Sequence, residues 1–578
     1  MEKTVRRREV PTPELLSSAA IHPLLARVYS ARGLSSVEEL DLGLSKLLVP
    51  AGLLNSDTAA CLLADALASQ KKILVVGDFD ADGATSTALA VAALREMGAA
   101  HVDFLVPNRF EFGYGLTPEI VALAGRDKPD LIVTVDNGIS SIEGVEAARD
   151  LGIATLVTDH HLAGRALPAA DVIVNPNQPD CAFGSKNLAG VGVIFYVMLA
   201  LRAELRKRNW FQDEGISEPN LGHYLDLVAL GTVADVVPLD RNNRILVANG
   251  LQRIRAGQAR SGILALLQVA SKDHRQVVAS DLGFAVGPRL NAAGRLDDMS
   301  IGIECLLCED TARAASYAAK LHQLNLDRRV IEQDMQQEAL VALEQVQLSD
   351  TGEQPLAMTL YEPGWHQGVI GILASRIKDR IHRPTIAFAD GDPGQIKGSA
   401  RSIPGIHIRD ILDGVATRHP GLINKFGGHA MAAGLTLERN DYPVFAAAFV
   451  EEVARHAEDV NLQALIESDG ELEKGDLNLG LATELRFAGP WGQHFPEPIF
   501  DGLFRIVQQR LVGEKHLKLV LCPEGSDTAV DAIAFNVDLE QWPDDKAEEV
   551  QIAYRLDVNE FRGNRSLQLM VEYLEPPV

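Results

Sequence analysis

A chain of 578 residues is too long for one hydrophobic core, so two to four domains are expected; 47% hydrophobic and 23% charged residues exclude a disordered or membrane-embedded polypeptide. With 54 Lys and Arg against 79 Asp and Glu the net charge is −25, so the average surface repels nucleic acid, and a polyanion has to be met along a confined, locally basic path. Five scattered cysteines exclude a disulfide framework.

The opening MEKTVRRREVPTPELL has a basic run with no apolar stretch behind it. It is no secretory signal, a cytoplasmic protein is expected, and residues 1–50 read as an N-terminal helical extension. Residues 51–299 then alternate strand, tight loop and helix through KKILVVGDFDADG, ALAVAALREMG, PDLIVTVDNGIS, ATLVTDHH and ADVIVNPNQPD. Such βαβ units predict a parallel sheet covered by helices on both faces. Sites in these sheets form at the carboxyl ends of the strands, where every acidic or histidine cluster just quoted falls. The longest apolar run, from Val191, meets Arg202 before reaching the roughly 20 residues that span a bilayer, so it reads as a buried helix and no membrane is expected as a partner.

Residues 300–347 read as one continuous connecting helix, in which Cys305 and Cys308 pack in the core rather than bind zinc. Residues 348–460 form a second, smaller α/β region. Residues 461–578 shift to short alternating segments such as KHLKLVLC and VDAIAFNV, the pattern of a small antiparallel barrel, best read as an OB-fold.

VVGDFDADGATS sets Asp78, Asp80 and Asp82 at alternate positions directly after a strand. Three carboxylates this close repel unless cations neutralise them, so the loop is either a divalent-cation site or a solvated acidic turn, and both readings stay open for the loop alone. An EF-hand is disfavoured because no Glu follows at the required distance. Asp136 ends the next strand in LIVTVDNGIS, Asp159, His160 and His161 follow ATLV, and Asp235 sits in ALGTVADVVPL, where it could simply cap a turn. Oxygen ligands with one or two imidazoles suit manganese or magnesium better than zinc.

In order and context these residues resemble the four motifs of the DHH phosphoesterase superfamily. PNRFEFGYGL, VGPRLNAAGRL, WHQGVIGI, GSARS and FGGHAMAAG extend the resemblance, over nearly the whole chain, to its bacterial single-strand exonuclease branch. The resemblance implies two divalent metal ions, Mn2+ or Mg2+. Asp80 and Asp136 would hold one, with Asp78 a less certain helper, and Asp82, Asp136, His160 and Asp235 the other, Asp136 bridging. His161 would contact the scissile phosphate and Asp159 would orient its neighbours. It also implies a DHH-associated second domain, a monomer, a single-strand-binding protein as partner, and 5′→3′ digestion of single-stranded DNA to 5′-mononucleotides in repair and recombination.

For the strand itself, arginines and backbone N–H groups suit phosphates and aromatic rings suit bases. Arg109, Tyr114, Arg289, Asn291 and Arg295 are expected in glycine-rich loops of the first domain, and His366, Gly398, Ser399, Arg401 and His429 in the second. KGSARS has the chemistry of a pocket for the 5′-terminal phosphate, and the strand is expected to thread between the two α/β domains. Arg505, Arg510, Lys515, Lys518 and Arg565 would extend the path along the barrel. The alternatives are an oligoribonucleotide or cyclic-dinucleotide phosphodiesterase, or a non-catalytic replication scaffold of the same fold.

Overall fold

The β-branched runs after residue 70 form strands buried on both faces, as a parallel sheet between helical layers requires. In the computed structural model, residues 3–11, 21–108, 115–164, 166–347, 355–457, 460, 462–513, 515–526, 528–537, 542, 547–561 and 563–576 are described. The chain folds into two compact units, Arg7–Leu324 with Glu467–Val578, and Met1–Arg6 with Asn325–Ile466. This division is not linear. The barrel belongs with the first α/β region, and the expected N-terminal extension belongs to its core.

The chain opens with β1 (Lys3–Arg7) and the Pro23–Ser30 helix, whose Leu24, Leu25, Val28 and Tyr29 are buried. β2 (Lys72–Val76), β3 (His101–Leu105), β4 (Leu131–Val135), β5 (Ala154–Thr158) and β6 (Val172–Val174) follow. They pair in the order β3-β2-β4-β5-β6, all parallel, as the sequence predicted. The Ala81–Glu96 and Gly190–Lys207 helices pack over them, and the Leu225–Ala234 helix packs on these two helices in turn, all with almost fully buried faces.

The connecting helix is not continuous from residue 300. Ser300–Leu307 ends at an extended Cys308, and Thr311–Gln347 is a separate 37-residue helix. In the smaller unit, β7 (Met358–Tyr361), β8 (Thr385–Asp390), β9 (Gln395–Arg401), β10 (Lys425–Gly428) and β11 (Ala432–Glu438) form a mixed sheet ordered β10-β11-β9-β8-β7. The rings of Phe388, Phe445 and Phe449 fill its core. β12 (Ala464–Ser468) pairs with β1.

β13 (Phe500–Val512), β14 (His516–Pro523), β15 (Val530–Ala534), β16 (Glu549–Phe561) and β17 (Asn564–Glu575) close a five-stranded barrel, β13-β14-β15-β17-β16. The single parallel pair, β15 with β17, lets the sheet close with five strands, in agreement with the expected OB architecture. Among the described residues no single helix is long and apolar enough to cross a membrane.

Candidate metal centre

β3 lies on one side of β2 and β4 on the other, so the winding reverses between β2 and β4 and a crevice opens outside their carboxyl ends. That end carries Asp78 and Asp80 in the loop after β2, Asp82 in the first turn of the helix that follows, Asp136 after β4, and Asp159, His160 and His161 after β5. Asp235 joins them as the C-cap of the Leu225–Ala234 helix.

Local hydrogen bonds set each side chain. Asp80 caps the Ala81–Glu96 helix by accepting the Gly83 N–H at 2.9 Å, and Asn291 Oδ1 accepts the neighbouring Ala81 N–H at 2.7 Å. Asp82, fully buried, accepts the Gly190 N–H at 2.6 Å and the Val191 N–H at 3.0 Å, so the positive end of the Gly190–Lys207 helix supports its charge. Asp136 stands at φ 62°, a left-handed conformation that Asp tolerates better than most residues. A Cβ on Gly190 would come within 2.6 Å of Asp136 Cβ; only glycine allows the helix this close.

Ligand atoms of Asp78, Asp80 and Asp136 lie within 4.8 Å of one another, as do those of Asp82, His160 and Asp235, and those of Asp136, His160 and His161. Asp136 links the groups, its Oδ1 standing 3.1 Å from His160 Nε2. That nitrogen is also 3.5 Å from Asp235 Oδ2, yet it is buried without a hydrogen-bond partner among the described residues. An imidazole nitrogen so placed among carboxylate oxygens fits a divalent cation, and the oxygen-rich donor set fits Mn2+ or Mg2+.

Electrostatics give the same reading. Burial, then repulsion from Asp235, pushes Asp82 up to about 7; burial, then Asp80, pushes Asp235 up to about 8. Asp136 is raised well above the ordinary range by burial and then by Asp82. Burial, then His161, lowers His160, favouring the neutral ring that metal ligation needs. Asp159 differs. Burial works against its charge, but the hydrogen bond and charge of His161 outweigh burial and hold it at about 2. It accepts the Ile139 N–H at 2.9 Å and the His160 N–H at 2.7 Å, and its Oδ1 lies 2.8 Å from His161 Nδ1. Against burial, Asp159 raises His161 to about 9, so His161 is an imidazolium at neutral pH.

Two residues of this site were missed in the sequence. Asn177 Nδ2 donates to the His160 carbonyl at 2.6 Å and Asn175 Nδ2 to the His161 carbonyl at 2.9 Å, together fixing the histidine loop. Their signal was the run NPN at the carboxyl end of β6.

Of the residues expected along the strand path, Arg109 and Tyr114 lie outside the described residues. GPRLNAAGRL is not a glycine-rich loop but the Gly287–Leu296 helix. Its Gly294 serves close packing, since a Cβ there would meet the Phe79 carbonyl oxygen at 1.8 Å. On that helix Arg289 is buried and donates to His322 Nδ1 at 3.1 Å and the Ala285 carbonyl at 2.6 Å, Asn291 caps the aspartate loop, and Arg295 is half-buried.

KGSARS is likewise no loop. It falls in β9, paired with β8 and β11, so the ladders take its N–H groups. What remains for an anion are side chains. Arg401 Nη1 donates to Ser399 Oγ at 3.0 Å, and the start of the Ile370–Ile381 helix lies against both, since a Cβ on Gly371 would stand 2.8 Å from Arg401 Nη2 and 2.9 Å from Ser399 Oγ. His366 Nδ1 accepts the Gly368 N–H just before that helix. Gly398 lies on the Phe388 ring, and His429 is exposed in the β10–β11 turn. Of the barrel cations, Lys518 lies 3.3 Å from Asp531 and Arg565 3.2 Å from Glu560, while Arg505, Arg510 and Lys515 are exposed.

Three family models match the chain: the N-terminal domain of the DHH family over residues 72–232, the DHHA1 domain over 353–455 and the RecJ OB domain over 468–573. A single-stranded-DNA-specific exonuclease RecJ of Dickeya dadantii is 57% identical, with all of both chains aligned. The chain belongs to the RecJ family. RecJ of Thermus thermophilus has been solved in complex with Mn2+; it superposes with a TM-score of 0.81 at 30% identity, over 99% of this chain and 80% of that one. The Mg2+ complex of the same RecJ superposes with a TM-score of 0.75 at 29% identity, over 99% and 79%.

Proposed function

We infer that this chain is a metal-dependent exonuclease that digests single-stranded DNA from its 5′ end and releases 5′-mononucleotides. The observation that carries the reading is Asp136 shared between two clusters of ligand atoms, beside a His160 Nε2 with no hydrogen bond among the described residues. Asp78, Asp80 and Asp136, and Asp82, Asp136, His160 and Asp235, would hold two divalent cations, Mn2+ or Mg2+, which would supply an acidified water and offset charge on the phosphate oxygens.

The protein's own groups do the rest. His161, kept cationic by Asp159, donates a hydrogen bond to a nonbridging oxygen of the scissile phosphate and stabilises the charge that develops there. Asn175 and Asn177 hold the loop that presents it. The Ser399 and Arg401 side chains, beside the start of the Ile370–Ile381 helix, receive the 5′-terminal phosphate. Arg109, Tyr114, Arg289, Arg295, His366, Gly398 and His429 are proposed for the strand path by resemblance. So are a monomeric state, a cytoplasmic setting, a single-strand-binding protein as partner, and a role in repair and recombination.

A 5′-phosphorylated strand labelled separately at each end tests the reading. Expected are labelled mononucleotides at once from the 5′ label, late release from the 3′ label, and neither with chelator. Digestion of dinucleotides alone, or cleavage that survives Asp136→Ala, would overturn it. Arg401→Ala should abolish the preference for a 5′-phosphate.

A further inference from the structure

Beside the metal centre, within the same compact unit, a groove of about 590 Å³ runs from Val236 to the segment that leads into β13. One wall is the carboxyl end of the helix that Asp235 caps; the other is the 486–497 segment. Val236, Leu251, Phe487 and Trp491 make it apolar, and the side chain after Asp235, Val236, is 62% exposed at φ 61°, strained for a β-branched residue.

Phe284 lines the same groove and is 81% exposed, an unusual place for a phenyl ring. It sits on a π-helical turn, Leu282–Val286, the wide backbone form that often marks functional positions. Two arginines, Arg255 and Arg486, also line the groove. Arg255 lies over the Phe487 ring at 4.9 Å and donates from Nε to the Val277 carbonyl at 2.8 Å, while Arg486 Nη1 stands 3.9 Å from Asp557 Oδ1. The groove's one carboxylate, Glu497, is engaged by Arg555 at 2.6 Å. In a chain of net charge −25, this is an apolar channel flanked by two arginines.

We propose that this groove carries the not-yet-cleaved part of the DNA strand, with Phe284 as a stacking platform for a base and Arg255 and Arg486 as partners for its phosphates. The proposal rests on the exonuclease reading above. Continuity decides for a nucleic acid over a peptide, because the groove begins at the residue after a proposed metal ligand and ends at the segment leading into the first barrel strand. An exposed ring accepts the π-face of any base, so it grips a strand without reading its sequence.

The test compares Phe284→Ala and Phe284→Trp with the unaltered enzyme on 5′-phosphorylated strands of about 2 to 20 nucleotides. Phe284→Ala should raise KM about tenfold on strands long enough to reach the groove, leaving the shortest unaffected, and Phe284→Trp should restore the long-strand KM. Abasic positions in the long strand should erase the difference between the two variants. Arg486→Gln should lower the salt dependence of long-strand binding by about one phosphate contact. Equal KM on long strands for all three proteins would overturn the proposal and leave the groove to a protein partner. An unaltered enzyme that cuts no long strand would instead overturn the exonuclease reading.

Discussion

Asp82, in the first turn of a helix, and Asp159, in a loop, are both buried carboxyls at the carboxyl end of the same sheet, yet one is pushed up to about 7 and the other held at about 2. The difference is company. Asp82 is crowded by Asp235 and Asp80, whereas Asp159 is paired with an imidazole. The pair makes a pH prediction. His161 is raised to about 9, so its charge is present at neutral pH and lost as pH rises through that value. Asp159→Asn removes the partner, lowers the His161 pKa, and should move the alkaline limb of kcat to lower pH. At pH 8 kcat should fall about 10²- to 10³-fold, the range for losing one donor at a developing anion. An unmoved limb would mean that His161 does not act as a cation.

At the scale of elements, the Gly287–Leu296 helix shows how far a motif can be misread. GPRLNAAGRL has two glycines, a proline and two arginines, which suggests a phosphate-binding loop, but Gly294 thins a helix that presses on the aspartate loop. Asn291 is its contact, through the Ala81 N–H. Asn291→Ala should cost about 1 kcal/mol in urea unfolding, the worth of a cap, and weaken Mn2+ activation about tenfold, as expected when a residue orienting a ligand loop is lost. A change in stability with an unchanged Mn2+ midpoint would confine Asn291 to folding. The strand KGSARS misled in the same way, because local composition does not tell whether a segment's N–H groups are free or already in a ladder.

For the whole molecule, the carboxyl cluster couples metal to stability. Asp82, near 7, and Asp235, near 8, bind protons in the folded metal-free protein at pH values where the unfolded chain has lost them. The folded state then holds more protons, so metal-free stability falls as pH rises through 6 to 8. Mn2+ competes with those protons. Its effect on Tm should therefore be larger at pH 8 than at pH 6, which calorimetry with and without chelator measures; an equal effect at both would detach the cluster from the metal. The same unit is tied to the segment that follows β12 by the Arg32–Asp469 pair, two contacts at 2.7 and 2.9 Å with both side chains 1% exposed, and Asp469 in turn holds the Ile499 N–H just before the barrel. Arg32→Ala should cost about 3 kcal/mol, because among the described residues it leaves the buried Asp469 with only the Ile499 N–H and a distant Arg8 as partners. A loss near zero would show the barrel held by its apolar contacts, among them Tyr29 on Trp491.

By itself the sequence determined the parallel sheet, the barrel and the set of chemical groups at the strand ends, because period-2 and βαβ patterns and short polar loops are local. The segment from Asp78 to Asp82 alone left an acidic turn and a cation site both open, and it was the resemblance that implied the cation site, with Asp78 the uncertain member. Only tertiary structure brought Asp136, His160 and Asp235 beside them, since that convergence depends on where the sheet reverses its winding. It also decided that the barrel shares a unit with the first helix of the chain, through an ion pair between residues 437 positions apart that no local pattern encodes.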